Sequence, residues 1–141
     1  MSRILGNVHH LGYVYPHFDA AVERFAAAGI GPFFAMHETE ALSIYRGELL
    51  PLHMSIAFTY SGDTCIEIIT PTAEQQASYN DFLARNPHGG LHHIAYLSDD
   101  FAATLAAMEA AGRKLEVVQE FVTEPDGDPF EIYCEPAGKD I

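Results

Sequence analysis

The chain has 141 residues, 48% of them hydrophobic and 19% charged, which suits one folded domain and argues against disorder. Asp and Glu number 20 against 7 Lys and Arg, and the net charge of −13 disfavours nucleic acids and membrane surfaces as partners. No apolar run resembles a membrane span or a signal peptide, so we expect a cytoplasmic protein with Cys65 and Cys134 reduced and buried.

The N-terminal part of the chain predicts a strand followed by a helix. Residues 9–15 are rich in aromatic and branched side chains and have the length of a strand. Phe18, Val22 and Phe25 then recur at i, i+4 and i+7, which places them on one face of a helix. Gly29 suits the left-handed residue that ends many helices. This segment therefore predicts a β-α unit.

The middle of the chain predicts further strands and a second helix. Three strand-like runs lie at residues 42–46, 54–60 and 64–70. Gly62 and Asp63 suit a hairpin turn between the last two runs. Residues 73–85 look helical, and the turn-forming residues 86–90 break the chain after them. We interpret this helix as a link between two modules.

The last third of the chain repeats the first. At a separation of 83 residues, nine of 24 aligned positions are identical without a gap. Composition rich in alanine does not explain two His-His doublets, each preceded by a glycine at the same distance. The identical pairs are Gly6 and Gly89, His9 and His92, His10 and His93, Tyr13 and Tyr96, Phe18 and Phe101, Ala20 and Ala103, Ala27 and Ala110, Ala28 and Ala111, and Gly29 and Gly112.

Strand alternation predicts that two of these histidines face a shared site. His10 and Gly12 lie on one face of the first strand, and His93 and Ala95 lie on the equivalent face of its repeat. A small residue beside each imidazole leaves the volume that a ligand site needs. A single strand histidine is more often a core or surface residue, but two at equivalent repeat positions could converge.

The other histidines are expected to have different roles. Alternation places two of them, His9 and His92, on the opposite strand face, where we expect structural roles. Four more fall in predicted loops or at strand edges, where we expect them to be solvated: His17, His37, His53 and His88. His53 and Arg46 could line the mouth of a substrate site.

Two glutamates interrupt apolar strands. Glu67 lies between Ile66 and Ile68, and Glu131 lies between Phe130 and Ile132. A carboxylate there is costly unless it is paired or bound to metal, although a solvent-facing glutamate is the simpler alternative. With His10 and His93, these glutamates would offer mixed nitrogen and oxygen ligands to one divalent ion such as Zn, Ni, Co, Mn or Fe, with positions left for substrate.

These motifs resemble the vicinal oxygen chelate superfamily, which includes glyoxalase I, methylmalonyl-CoA epimerase, extradiol dioxygenases and bleomycin-resistance proteins. The resemblance covers nearly the whole chain and rests on His10-Leu11-Gly12, Gly31-Pro32-Phe33, Glu67-Ile68-Ile69-Thr70-Pro71, Gly90-Leu91-His92-His93-Ile94-Ala95 and Pro125-Asp126-Gly127 before Glu131. It implies that His10, Glu67, His93 and Glu131 are the metal ligands.

The resemblance also implies an α+β fold of two tandem βαβββ modules that form an open, curved, mixed sheet around a central cavity, commonly as a homodimer. Module 1 would span about residues 5–71, the linker helix about 73–86 and module 2 about 89–136. The second module should be shortened, because 57 positions separate His10 from Glu67 but only 38 separate His93 from Glu131.

The predicted function is that of a metal-dependent lyase or isomerase of glyoxalase or epimerase type, which moves a proton next to a carbonyl group of a small-molecule substrate. By analogy with glyoxalase I, Glu131 is the first candidate for the base and Glu67 the second. Two alternatives stay open: an extradiol-type Fe(II) dioxygenase, which uses two histidines and one carboxylate, and a non-catalytic protein that sequesters a small molecule.

Overall fold

The computed structural model describes residues 3–138, which form seven strands and three helices. In chain order the elements are β1 (Val8–Val14), α1 (Phe18–Ala27), β2 (Phe34–Tyr45), β3 (Glu48–Ser61), β4 (Thr64–Pro71), α2 (Ser78–Arg85), β5 (Gly90–Tyr96), α3 (Phe101–Ala110), β6 (Leu115–Val122) and β7 (Glu131–Pro136). Among the described helices, none is long and apolar enough to cross a membrane.

All seven strands belong to one sheet in the order β5-β1-β4-β3-β2-β6-β7. Strands β1 and β4 run parallel, and every other neighbouring pair is antiparallel. The sheet curves so strongly that its two edge strands, β5 and β7, face each other. The ring centroids of His93 on β5 and Tyr133 on β7 are only 4.7 Å apart. The predicted open, curved, mixed sheet is confirmed.

The two repeats differ in the number of strands. The first contains β1, α1, β2, β3 and β4, whereas the second contains β5, α3, β6 and β7. The predicted shortening of the second module is therefore confirmed as the loss of one strand. The second repeat is also divided, since β5 pairs with β1 at one side of the first repeat and β6 pairs with β2 at the other.

Several predicted element boundaries needed correction. Strands β2 and β3 begin well before the predicted runs and are joined by a tight turn through Arg46 and Gly47, whose φ angles are 48° and 85°. Helix α2 begins only at Ser78, because Glu74 has a φ of 64°, outside the right-handed helical range. The predicted turn at Gly62 and Asp63 is confirmed between β3 and β4.

A hydrophobic core lies between the sheet and α2. Its buried residues are Val14, Leu52, Ile69, Ala77, Tyr79 and Phe121. Leu52 in the first half of β3 is 1% exposed, whereas Leu49 on the same strand is 44% exposed. The core therefore offers a matched pair of leucines for measuring burial energy.

Leu52→Ala is expected to lower the free energy of unfolding by about 2–5 kcal/mol, because it removes buried methyl groups and leaves a cavity. Leu49→Ala makes the same chemical change at a largely exposed position and should cost no more than about 0.5 kcal/mol. Urea unfolding of both variants measures the difference. Equal losses would show that Leu52 does not belong to a tightly packed core.

Candidate metal centre

Strand β1 brings the candidate ligands together. In the register of the sheet, Gly12 on β1 lies opposite Glu67 on β4 and also opposite His93 on β5. His10 lies two residues before Gly12 and is 6% exposed. Side chains two apart on a strand share a face, so three polar side chains from adjacent strands meet around Gly12.

The three side chains are close enough to share one ion. The Nε2 atoms of His10 and His93 are 3.0 Å apart. A carboxylate oxygen of Glu67 lies 3.4 Å from Nε2 of His10 and 3.8 Å from Nε2 of His93. One ligand atom from each residue lies within 4.8 Å of the others. These residues lie far apart in sequence, and the fold alone brings them together.

Glu131 is not part of that compact group. It is the first residue of β7, the edge strand that faces β5, and it lines the cavity between these two strands. It is nevertheless near enough to Glu67 for its charge to raise the pKa of that carboxyl group. Three of the four predicted ligands thus meet closely, and the fourth stands at the edge of the site.

Gly12 has a packing role in this arrangement. A Cβ atom built on Gly12 would overlap the imidazole ring of His93, so a side chain there would displace that ring.

We expect Gly12→Ala to lower the free energy of unfolding by about 1–3 kcal/mol through overpacking. Gly6→Ala is the matched control, because a Cβ there meets nothing within 4 Å. Denaturant unfolding of the two variants should separate them, and equal stabilities would contradict the contact.

Burial keeps both candidate histidine ligands neutral. Burial, followed by the neighbouring His9, lowers the pKa of His10 to about 4. Burial, followed by His92 and His10, lowers the pKa of His93 to about 3. Burial, followed by the charge of Glu131, raises the pKa of Glu67 to about 7. The site therefore presents neutral imidazoles, the form of histidine that binds metal ions.

The buried Tyr79 and the partly buried Tyr133 extend the site beyond the sequence prediction. The hydroxyl groups of Tyr79 and Tyr133 are 2.6 Å apart and share a hydrogen bond. Burial raises the pKa of Glu131, and a hydrogen bond from Tyr133, together with His9, opposes that rise. Tyr133 lies two residues after Glu131 on β7, so strand alternation could have identified it as a neighbour on the same face.

A cavity of about 790 Å³ opens beside these groups, within the size range of small-molecule sites. It lies between the edge strands and is lined by His10, His93 and Glu131. Arg46 also lines it, as predicted, but His53 does not and instead lies 3.7 Å from Glu40. The position next to the candidate ligands suits a substrate-binding cleft.

The prediction that His9 and His92 point away from the ligands is wrong. Nδ1 of His9 lies 2.9 Å from Nδ1 of His10, and Nδ1 of His92 lies 2.8 Å from Nδ1 of His93. Irregular pairing of β1 and β5 disturbs the alternation at these positions. Each doublet therefore places both of its imidazoles together.

The donor set fits a divalent cation. Two ligand atoms about 2.1 Å from an ion and about 90° apart in direction are separated by about 3 Å, which agrees with the 3.0 Å between the two Nε2 atoms. Two imidazole nitrogens and one carboxylate oxygen suit first-row transition metals. Buried polar atoms this close together also need a partner, which a shared cation would supply.

Comparisons with known proteins agree with the fold. A family model described as the glyoxalase/bleomycin resistance protein/dioxygenase superfamily matches residues 8–130. An ethylmalonyl-CoA/methylmalonyl-CoA epimerase of Cereibacter sphaeroides is 25% identical over 113 residues, which cover 79% of this chain and 75% of that protein.

Two solved structures share the fold. Methylmalonyl-CoA epimerase of Streptomyces coelicolor, in complex with 2-nitronate-propionyl-CoA, has a TM-score of 0.52 at 24% identity, over 79% of this chain and 73% of that one. Methylmalonyl-CoA epimerase of Mycobacterium tuberculosis has a TM-score of 0.55 at 15% identity, over 86% of this chain and 82% of that one. At these identities the likeness concerns the fold alone.

Proposed function

Because the chain belongs to the glyoxalase/bleomycin resistance protein/dioxygenase superfamily, we propose that it is a divalent-metal-dependent enzyme of epimerase or glyoxalase type. It would move a proton on the carbon next to a carbonyl group of a small substrate that binds the ion through oxygen. The observation that carries this proposal is the meeting of His10, Glu67 and His93 within 4.8 Å beside a cavity.

The proposed ligands are His10, Glu67 and His93, with Glu131 as a fourth ligand or as the base. When bound, the cation would supply electrostatic stabilisation for the negative charge that forms on the substrate oxygens. The two imidazoles would hold the ion from adjacent strands, and their neutral state lets them do so without losing a proton. Glu67 would complete the group from the third strand.

Glu131 is the better candidate for the base. It faces the cavity, whereas Glu67 is not among the cavity-lining residues. A base must reach the proton that it removes, so a carboxylate at the cavity wall is better placed than one that does not line the cavity. Burial raises the pKa of both carboxyl groups, so their position and not their basicity separates the two candidates. Tyr133, two residues after Glu131 on β7, also lines the cavity.

The test is solvent deuterium exchange. Protein purified without a histidine tag and freed of metal would be supplied with Co²⁺ or Mn²⁺ and incubated in D₂O with 2-methyl acyl thioesters or with thiohemiacetals of 2-oxoaldehydes. We expect deuterium to enter the carbon next to the carbonyl group only when metal is present. Metal-independent exchange, or metal binding without exchange into either class, would contradict the proposal.

One observation favours a second candidate function, an Fe(II)-dependent oxygenase. The compact group contains two histidines and one carboxylate, the ligand set that non-haem Fe(II) oxygenases use, and Glu131 stands outside it. Such a centre leaves three positions for a chelating substrate and O₂. Oxygen uptake by the Fe(II)-loaded protein with catechols tests this candidate. Oxygen uptake without deuterium exchange would favour the oxygenase over an enzyme of epimerase type.

A further inference from the structure

The two His-His doublets form the same contact twice. In each doublet the first imidazole meets the second through Nδ1, at 2.9 Å for His9 and His10 and at 2.8 Å for His92 and His93. The ring planes are also similarly inclined, at 76° and 90°. The contact therefore follows the internal repeat and is not a local accident of packing.

A β-bulge accompanies each contact. Between β1 and β5, Val8 pairs with Tyr96 and His10 pairs with Ala95, which leaves His9 as the extra residue of β1. At the other end of the same ladder, the pairing changes register again and leaves His92 as the extra residue of β5. A bulge interrupts alternation and can turn adjacent side chains toward the same side. Both bulges thus fall on the first histidine of a doublet.

The placement of the two nitrogens of His93 indicates which ring donates. Its Nε2 atom lies 3.0 Å from Nε2 of His10, at the candidate metal centre, and its Nδ1 atom faces Nδ1 of His92. A neutral imidazole that offers the lone pair of Nε2 to a cation carries its proton on Nδ1. The proton between the two rings then belongs to Nδ1 of His93, and Nδ1 of His92 accepts it. Nε2 of His93 is left with a free lone pair.

We propose that His9 and His92 are positioning residues that accept the Nδ1 protons of His10 and His93 and so leave both Nε2 atoms free to bind one cation. The inference deepens the proposed metal-dependent function and rests on it. The partner of a metal-binding histidine is commonly a carboxylate or a carbonyl group. Here a second imidazole takes that place in both halves of the protein.

The position of His9 differs from that of His92 in one respect. His9 is near enough to Glu131 to influence the carboxyl group, whereas His92 lies among the aromatic rings of Tyr79, Phe82 and Tyr133. His9 therefore lies near both the first candidate ligand and the candidate base. His92 is held in place by this packing.

Nuclear magnetic resonance of the metal-free protein tests the assignment directly. Long-range ¹H–¹⁵N correlation spectra of histidine-labelled protein distinguish the two neutral tautomers of each ring. In the metal-free protein the Nε2 atoms of His10 and His93, 3.0 Å apart, share one proton, so we expect at least one of these two rings to carry its own proton on Nδ1. With Zn²⁺ bound we expect both rings to do so, and His9 and His92 to carry their protons on Nε2. A proton on Nε2 of both His10 and His93 would overturn the proposal, whether or not the protein binds metal.

Two substitutions at each outer histidine separate hydrogen bonding from packing. Phenylalanine keeps an aromatic ring but cannot accept a hydrogen bond, whereas asparagine offers a carbonyl acceptor near the place of Nδ1. By calorimetric titration, His92→Phe and His9→Phe should weaken Co²⁺ binding by about 10- to 100-fold, and the asparagine variants should bind within about threefold of the unsubstituted protein. The control is His88→Asn, in the loop before β5, which should bind normally.

The possible failures are distinguishable. Phenylalanine variants that bind Co²⁺ as well as the unsubstituted protein would overturn the positioning role, as would equal losses in the phenylalanine and asparagine variants. If the unsubstituted protein binds no Co²⁺, Zn²⁺ or Mn²⁺, the proposed function fails, and the tautomers in the metal-free spectra alone decide this inference.

Discussion

Replacing either His10 or His93 with alanine is expected to weaken Zn²⁺ or Co²⁺ binding by at least about 100-fold, more than the loss of an outer-shell partner costs. Each residue supplies one of three ligand atoms that lie within 4.8 Å of one another. The remaining imidazole and Glu67 would hold the ion with two ligands and would have to recruit water in place of the third. Removing either histidine should therefore affect binding to a similar extent.

Thermal unfolding measures this effect without any substrate. A ligand present at 100 times its dissociation constant stabilises the folded state by about 2.7 kcal/mol, so metal should raise the melting temperature of the unsubstituted protein. The alanine variants should show almost no shift at the same metal concentration. His88→Ala removes a histidine from the loop before β5 and should keep the full shift. A full shift in His10→Ala or His93→Ala would place the ion elsewhere.

The internal repeat is what made the fold predictable. The matching of Gly6 through Gly29 with Gly89 through Gly112 identifies two β-α units. The 38 positions between His93 and Glu131, against 57 between His10 and Glu67, also indicate a shortened second module, which the structure contains. The sequence could not show that β5 and β6 join opposite sides of the first repeat, because the pairing of distant strands depends on tertiary packing and not on local pattern.

Alternation along regular strands explains how far the site could be predicted. His10 on β1, Glu67 on β4 and His93 on β5 share one face of adjacent strands, and the structure brings them together. The same rule failed at His9 and His92, because each is the extra residue of a β-bulge. Bulges depend on the register between two strands, which a single strand's pattern does not reveal.

Strand length limits the prediction in another way. The first halves of β2 and β3 were missed for different reasons. In β2 the exposed Glu38 and Glu40 hide the alternation that identifies a half-buried strand, and in β3 Pro51 and the adjacent Leu49 and Leu50 interrupt it. The position of Glu131 depends on how the shortened second repeat closes over the cavity. Its distance from the other ligands therefore could not be read from the spacing between His93 and Glu131.

The sharpest functional test compares Glu131 with Glu67. Glu131→Gln is expected to slow deuterium exchange into the substrate by about 10²- to 10⁴-fold, because an amide cannot accept the proton that the carboxylate removes. Its metal affinity should change little, since Glu131 lies outside the compact group of ligands. Glutamine has nearly the same shape as glutamate, so its packing beside Tyr133 should persist.

Glu67→Gln is the matched variant, with the same chemical change on the other carboxylate. Its oxygen lies 3.4 Å from Nε2 of His10 and 3.8 Å from that of His93, so its loss should weaken metal binding first and reduce exchange as a consequence. Saturating metal would then restore part of the exchange in Glu67→Gln but none in Glu131→Gln. Equal losses of metal affinity in the two variants would instead make Glu131 a fourth ligand. Normal deuterium exchange in Glu131→Gln would show that another group is the base.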